Sequence, residues 1–182
     1  MEVLIGNKKD CIDEILEEID NLSLRGKQTL LLDYGFYHDI LNKLETDLST
    51  ITIFMLDNTK LDEDFVLKNK VGKVFYPCCE DYKTELLFHK IDLGIIGIEL
   101  DGSIGHNHPG SSFDEMFNDS YLGIKGIMNA KTILFYLEGE KNQDLVKRII
   151  ESEETIDFPA SVLMNHEDIT AIIDKKASMK LD

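Results

Sequence analysis

Cysteine, basic side chains and long apolar runs are all scarce in this chain, and each scarcity closes off a class of protein. The three cysteines, Cys11, Cys78 and Cys79, are odd in number with two adjacent, which offers no disulfide framework and favours a reducing, cytoplasmic compartment. Lys and Arg number 19 against 35 Asp and Glu, a formal charge of −16. A surface so negative repels nucleic acid and anionic lipid, so neither nucleic acid nor a membrane is expected as a partner. It also opposes an anionic small molecule unless a local basic pocket overrides the mean field. No apolar run approaches the ~20 residues that span a bilayer. Met1 to Gly6 runs straight into the acidic segment Asp10 to Asp20, which is unlike a signal peptide. No internal repeat or low-complexity tract divides the chain. With 182 residues, 43% of them apolar and 30% charged, a single domain over 1–182 with a substantial core is expected.

What is present is a regular alternation of two periodicities. Ile12, Ile15, Leu16, Ile19 and Leu22 recur at helical spacing among acidic residues, the pattern of an amphipathic surface helix over Lys8–Leu22. Apolar runs at Gln28–Leu32, Ile51–Leu56, Lys73–Tyr76, Leu93–Ile98, Thr132–Leu137 and Asp168–Asp174 read as strands. Helical segments fall between them at Phe36–Leu44, Glu80–Lys90 and Gln143–Ile150, and Phe113–Tyr121 reads as a linker. The alternation predicts an α/β fold: a doubly wound, mostly parallel sheet with helices on both faces. Pro77-Cys78-Cys79 marks a turn, with ordinary partly buried thiols favoured over a thiol site.

The densest chemistry follows the strand at Leu93. The stretch Asp92–Phe113 passes from a buried run into a loop carrying Asp101, His106, His108, Ser111 and Ser112 among Gly97, Gly102, Gly105, Pro109 and Gly110. In open α/β sheets ligands bind where such loops leave the carboxyl ends of strands. Imidazoles titrate near neutral pH and suit proton transfer. His-x-His plus a carboxylate is also a metal-ligand spacing, but one pair on a Gly-rich loop is weak evidence, and no metal or other cofactor is expected.

Asp101-Gly102-Ser103-Ile104-Gly105-His106-Asn107-His108-Pro109-Gly110-Ser111-Ser112 resembles the signature loop of the glucosamine-6-phosphate deaminase/isomerase family, whose fold is similar to that of 6-phosphogluconolactonases. The family pattern is close to D-G-H-I-A-F-N-E-P-G-S-S. Ser103 stands in place of its histidine, His108 in place of its glutamate, and His106 in place of an aromatic residue. The resemblance implies a divergent member in which the helices of a lid, expected between Ser112 and Met128, are missing. It implies a small-molecule sugar phosphate as ligand and leaves assembly into a homo-oligomer open. The expected activity is isomerisation and deamination of an amino-sugar phosphate. The alternatives are a catalytically inactive sugar-phosphate-binding or regulatory homologue, and a lactonase-like hydrolase.

Residue by residue, the resemblance assigns Asp57 as the base at the sugar C2 and C1 carbons, against the plain reading of a strand-terminal Asp capping the next turn. Asp101 would orient the ring-opening group, now His106 or His108. Gly35, in the turn Asp33–Tyr37 that corresponds to the family's phosphate loop, would contact substrate together with Ser103, Asn107, Ser111 and Ser112. Lys141, near the start of a helix, would contact the phosphate, or else be a solvated first-turn lysine. Phe158–Leu163 resembles a closing helix of the family, and His166 is read as a turn or core residue. The expectation that ties these together is spatial: Asp57, Asp101, His106 and His108 should line one cleft at the carboxyl edge of the sheet.

Overall fold

The computed structural model describes residues 1–181 and contains a seven-stranded sheet in the order β1-β9-β8-β5-β2-β3-β4. Its strands are β1 (Glu2–Gly6), β2 (Gln28–Leu32), β3 (Ile51–Met55), β4 (Lys73–Phe75), β5 (Leu93–Ile95), β8 (Thr132–Leu137) and β9 (Ile169–Asp174). Every pairing in it is parallel. A two-stranded antiparallel hairpin, β6 (Phe117–Asn118) and β7 (Tyr121–Leu122), lies apart from the sheet. The helices are α1 (Lys8–Leu24), α2 (Tyr34–Leu41), α3 (Glu63–Lys68), α4 (Tyr82–Phe88), α5 (Ile124–Met128) and α6 (Gln143–Glu151).

Side chains of a strand alternate between the two faces of a sheet, and here that alternation sorts the core into two layers. Leu30, Leu32, Ile53, Met55, Ile95 and Leu134 point to the face covered by α1, α2 and α3. Leu31, Phe54, Ile96, Ile133, Phe135 and Ala171 point to the face covered by α4, α5 and α6. Both faces are buried, which is why the strands read as continuous apolar runs.

Leaving β2, the chain winds outward through β3 and β4. It then returns to pair β5 on the other flank of β2, and continues through β8 and β9. The β2/β5 boundary is therefore the topological switch point, where connections diverge to opposite sides and leave a crevice at the carboxyl ends. One buried hydroxyl pins this region. Tyr37 Oη, on α2, donates to the Ile96 carbonyl (2.8 Å) and accepts from the Tyr136 amide (2.8 Å), joining α2 to the ends of β5 and β8.

Several local features depart from the sequence reading. β1 was not anticipated; it pairs only with β9, with most of its side chains exposed. The segment read as a linker contains the β6–β7 hairpin, turned at Asp119 with φ 50°. Phe158–Leu163 is not an α-helix: Pro159–Asn165 forms a 3-10 turn with Pro at its start. Cys78 and Cys79 are exposed rather than partly buried.

Candidate functional site

Three strand ends contribute to a cavity of about 360 Å3 at the switch point: Asp33 after β2, Asp57 after β3, and Gly97 with Glu99 after β5. Gly35 and Phe36 on α2, and Gly105 and His106 on the signature loop, complete its lining. Asp57 is held as a strand-terminal Asx turn: Oδ1 accepts from the Thr59 amide (2.9 Å) and Oδ2 from the Thr59 hydroxyl (2.8 Å). The cap and the cavity-facing position coexist. Thr59 thereby fixes the carboxylate beside Gly35, where a Cβ would lie 3.3 Å from Asp57 Oδ2.

Asp33 is the buried acid of the site. Its Oδ1 accepts from the Phe36 amide (3.2 Å), capping α2, and its Oδ2 from the Gly97 amide (3.3 Å). Burial pushes its carboxyl up to about 6, with Asp57 and Glu99 adding repulsion and the two amides opposing. The N–H groups that would otherwise face an anion at this strand–helix turn are thus partly occupied by the chain's own carboxylate. Gly97 is what allows the approach, since a Cβ there would meet the Phe36 ring at 2.4 Å and Asp33 Oδ2 at 2.7 Å.

His106 stacks on Tyr121 of β7, with centroids 3.4 Å apart and planes at 19°. Burial lowers the imidazole from its ordinary value, the charge of Asp57 raises it, and His108 lowers it further, so the neutral ring is favoured at pH 7. The other two sequence-predicted acid–base residues lie elsewhere on the loop. Asp101 and His108 do not line this cavity; they flank the buried Ser103. Asp101 Oδ1 accepts from the Ser103 amide (2.9 Å), and Ser103 Oγ shares a hydrogen bond with His108 Nδ1 (3.1 Å). The Ser103 amide and hydroxyl, aided by the charge of His108, hold the Asp101 carboxyl below its ordinary value. The two imidazoles remain neighbours, with ring centroids 6.4 Å apart.

The residues expected to bind substrate are similarly divided. Gly35 lines the cavity. Asn107 is buried and staples the loop to β7, its Nδ2 donating to the Ile104 (3.1 Å) and Leu122 (2.9 Å) carbonyls. Ser111 and Ser112 lie further along the loop, Ser112 Oγ accepting from the Asp114 amide (3.2 Å). Lys141 borders a second, adjoining cavity of about 570 Å3, with Lys8 and Lys43 and with the carboxylates of Asp39 and Glu138. Gly35 and Phe36 line both spaces. Lys8 is tied to Glu138 (2.8 Å), which raises its ammonium above the ordinary value. An acidic chamber and one of mixed charge, where Lys8, Lys43 and Lys141 are accompanied by Asp39 and Glu138, therefore share the Gly35–Phe36 wall. His166 is buried, with Nε2 2.9 Å from the Ala130 carbonyl oxygen.

Three members of this site escaped the sequence reading. Thr59 was signalled by its Asp-x-Thr spacing. Asp33 enters the sequence reading only as the first residue of the Asp33–Tyr37 turn, and nothing local distinguishes Glu99. Among the described residues, no group of three or more His, Cys, Asp or Glu side chains is arranged to hold a metal ion, and no helix is long and apolar enough to cross a membrane.

No family model matches the sequence. A glucosamine-6-phosphate deaminase of Streptococcus thermophilus is 32% identical over 151 residues, covering 69% of this chain and 65% of the relative. One of Halalkalibacterium halodurans is 35% identical over 146 residues, covering 66% and 59%. The chain thus spans less than two thirds of the length of these relatives. Among solved structures, a monomeric glucosamine-6-phosphate deaminase superposes with a TM-score of 0.72 at 21% identity, covering 99% of this chain and 100% of the other. A 6-phosphogluconolactonase from Leishmania guyanensis superposes with a TM-score of 0.70 at 15% identity, covering 100% and 98%. At such identities the superpositions establish the fold, and the doubly wound parallel sheet is the one these enzymes share.

Proposed function

We propose that this divergent relative of the glucosamine-6-phosphate deaminases acts on an amino-sugar phosphate, isomerising and deaminating it to a ketose phosphate. The observation that carries the reading is the pair Lys43 and Lys141, neither in a salt bridge among the described residues, in a chamber that shares Gly35 and Phe36 with the acidic one. Glu138, beside them, is tied to Lys8, and Asp39 is the remaining carboxylate. A hexosamine 6-phosphate bears an ammonium near the reacting carbons and a dianion at the other end. The acidic chamber suits the first, and the chamber lined by Lys43 and Lys141 suits the second.

In this reading Asp57, oriented by Thr59, carries a proton between C2 and C1 of the open-chain sugar. His106, neutral at pH 7, exchanges a proton at the ring oxygen or the departing amine. Water takes the place of the amine, so ammonia and a ketose phosphate leave together. Asp101, Ser103 and His108 act one step back, as a hydrogen-bonded brace for the loop that presents His106. Placing the phosphate beside Lys141 rather than on the α2 turn answers the presence of Asp33, whose carboxylate already caps those amides.

Incubation of the protein with glucosamine 6-phosphate and galactosamine 6-phosphate, followed by assay of ammonia and of fructose or tagatose 6-phosphate, tests the proposal. Turnover lost in Asp57→Asn is the expected result. Absence of turnover together with absence of any thermal shift on adding the sugar phosphates would defeat it. A thermal shift without turnover would favour the ligand-binding alternative.

A further inference from the structure

Cys78 and Cys79 are exposed neighbours on the turn between β4 and α4, and neither is used by the chemistry above. Three contacts connect this turn to the acidic chamber. The Cys78 amide donates to Asn58 Oδ1 (2.9 Å), and Asn58 directly follows Asp57. Asn58 Nδ2 in turn donates to Tyr121 Oη (3.1 Å). The Tyr121 ring lies flat on His106 at 3.4 Å, and His106 lines the cavity. The peptide unit that bears the first thiol is therefore hydrogen-bonded to the side chain that positions the aromatic partner of the imidazole.

We propose that Cys78 and Cys79 form a redox modification site for low-molecular-weight disulfides, coupled through Asn58 and Tyr121 to His106. The thiolate of one cysteine attacks the small disulfide, forming a mixed disulfide and expelling one thiolate. The neighbouring cysteine thiolate then attacks the protein sulfur of that mixed disulfide, expelling the second. Two protein thiols are oxidised to one intrachain disulfide and one small disulfide is reduced to two thiols, with both protons passing to the leaving groups.

Closing this ring has a mechanical consequence. Consecutive Cα atoms across a trans peptide lie ~3.8 Å apart, inside the ~4.4 Å lower bound for ordinary disulfides. The backbone at Cys78 must turn to close the bond, and its amide is the one held by Asn58. The same strain makes the bond easy to reduce, so the modification is reversible. Cys11, on the buried face of α1, lies outside the reach of the reagent.

The experiment is a titration of the full chain in oxidised and reduced glutathione. Mass spectrometry of the peptide containing Cys78 and Cys79 reports the disulfide, and the NMR resonances of the His106 ring report the cavity. The expected result is loss of two hydrogens from that peptide, with a His106 shift of the same midpoint, both reversed by excess reductant. Tyr121→Phe keeps the ring but removes the hydroxyl that meets Asn58; it should still form the disulfide and lose most of the His106 shift. Cys78→Ser, on the exposed turn, should show neither. Stable glutathione adducts with no intrachain bond at any ratio would overturn the proposal, as would a disulfide that forms while wild-type His106 stays unmoved. Neither readout requires turnover, so the proposal and the assigned activity stand or fall separately.

Discussion

Replacing Asp33 by Asn should change how stability depends on pH more than it changes stability itself. Asp33 is raised from an ordinary 3.8 to about 6 in the folded chain, chiefly by burial. A carboxyl that binds its proton more tightly when folded contributes stability below its unfolded value, and that contribution is lost as pH rises through the folded value. The window is therefore pH 4 to 6.5. A difference of about 2 in pKa corresponds to about 3 kcal/mol. The amide carries no titrating proton, so D33N lacks this loss. It also loses one of the two acceptor positions now filled by the Phe36 and Gly97 amides, a roughly constant cost of about 1–3 kcal/mol. Urea unfolding of both proteins at half-unit steps from pH 4 to 7.5 isolates the effect, because most other carboxylates cancel in the comparison. D33N should gain on the wild type by about 3 kcal/mol across the window. A difference that stays flat with pH would refute the assignment of Asp33 as a buried, proton-retaining acid.

Asp57→Asn should lower turnover of a hexosamine 6-phosphate by about 10²–10⁴-fold with little effect on unfolding, as expected for loss of a proton-transfer group. Lys43→Ala and Lys141→Ala should each raise KM about 10-fold or more with kcat less affected, the signature of a lost charge-assisted contact to phosphate. Gly102→Ala should destabilise the fold by about 1–3 kcal/mol in urea unfolding, since its φ is +89° and a Cβ would sit 2.1 Å from the Phe158 ring. Asn107→Ala should cost about 1–2 kcal/mol through loss of its two bonds to carbonyls, and hydrogen exchange of β7 amides should quicken.

Among the strands, those whose bounds are read most closely from sequence are largely or wholly buried. Gln28–Leu32 and Thr132–Leu137 take the bounds their unbroken apolar runs suggest, because both faces of those strands are covered. The edge strand β1 left only a weak pattern, since its partner, β9, lies at the far end of the chain and most of its side chains are exposed. The β6–β7 hairpin has too few residues to carry a periodicity and depends on the Asn107 contact for its place. Within the site, Asp57 and His106 were visible through their motifs. That Asp33 and Glu99 would join them was not, because their proximity arises from β2 pairing with β5, a long-range adjacency with no local signature. The division of the loop into His106 facing the cavity and His108 bound to Ser103 was equally hidden. It follows from the positive φ at Gly102 and Gly105 and from Ile104 pairing back to Ile98.

On the proposed reading, Phe36 would serve as a ruler. Its ring borders both the acidic chamber and the space that holds Lys43 and Lys141, so selectivity would turn on the interval between a ligand's cation and its anion. Enlarging or trimming that single side chain would then retune the length of molecule accepted while leaving the charged side chains of both spaces in place.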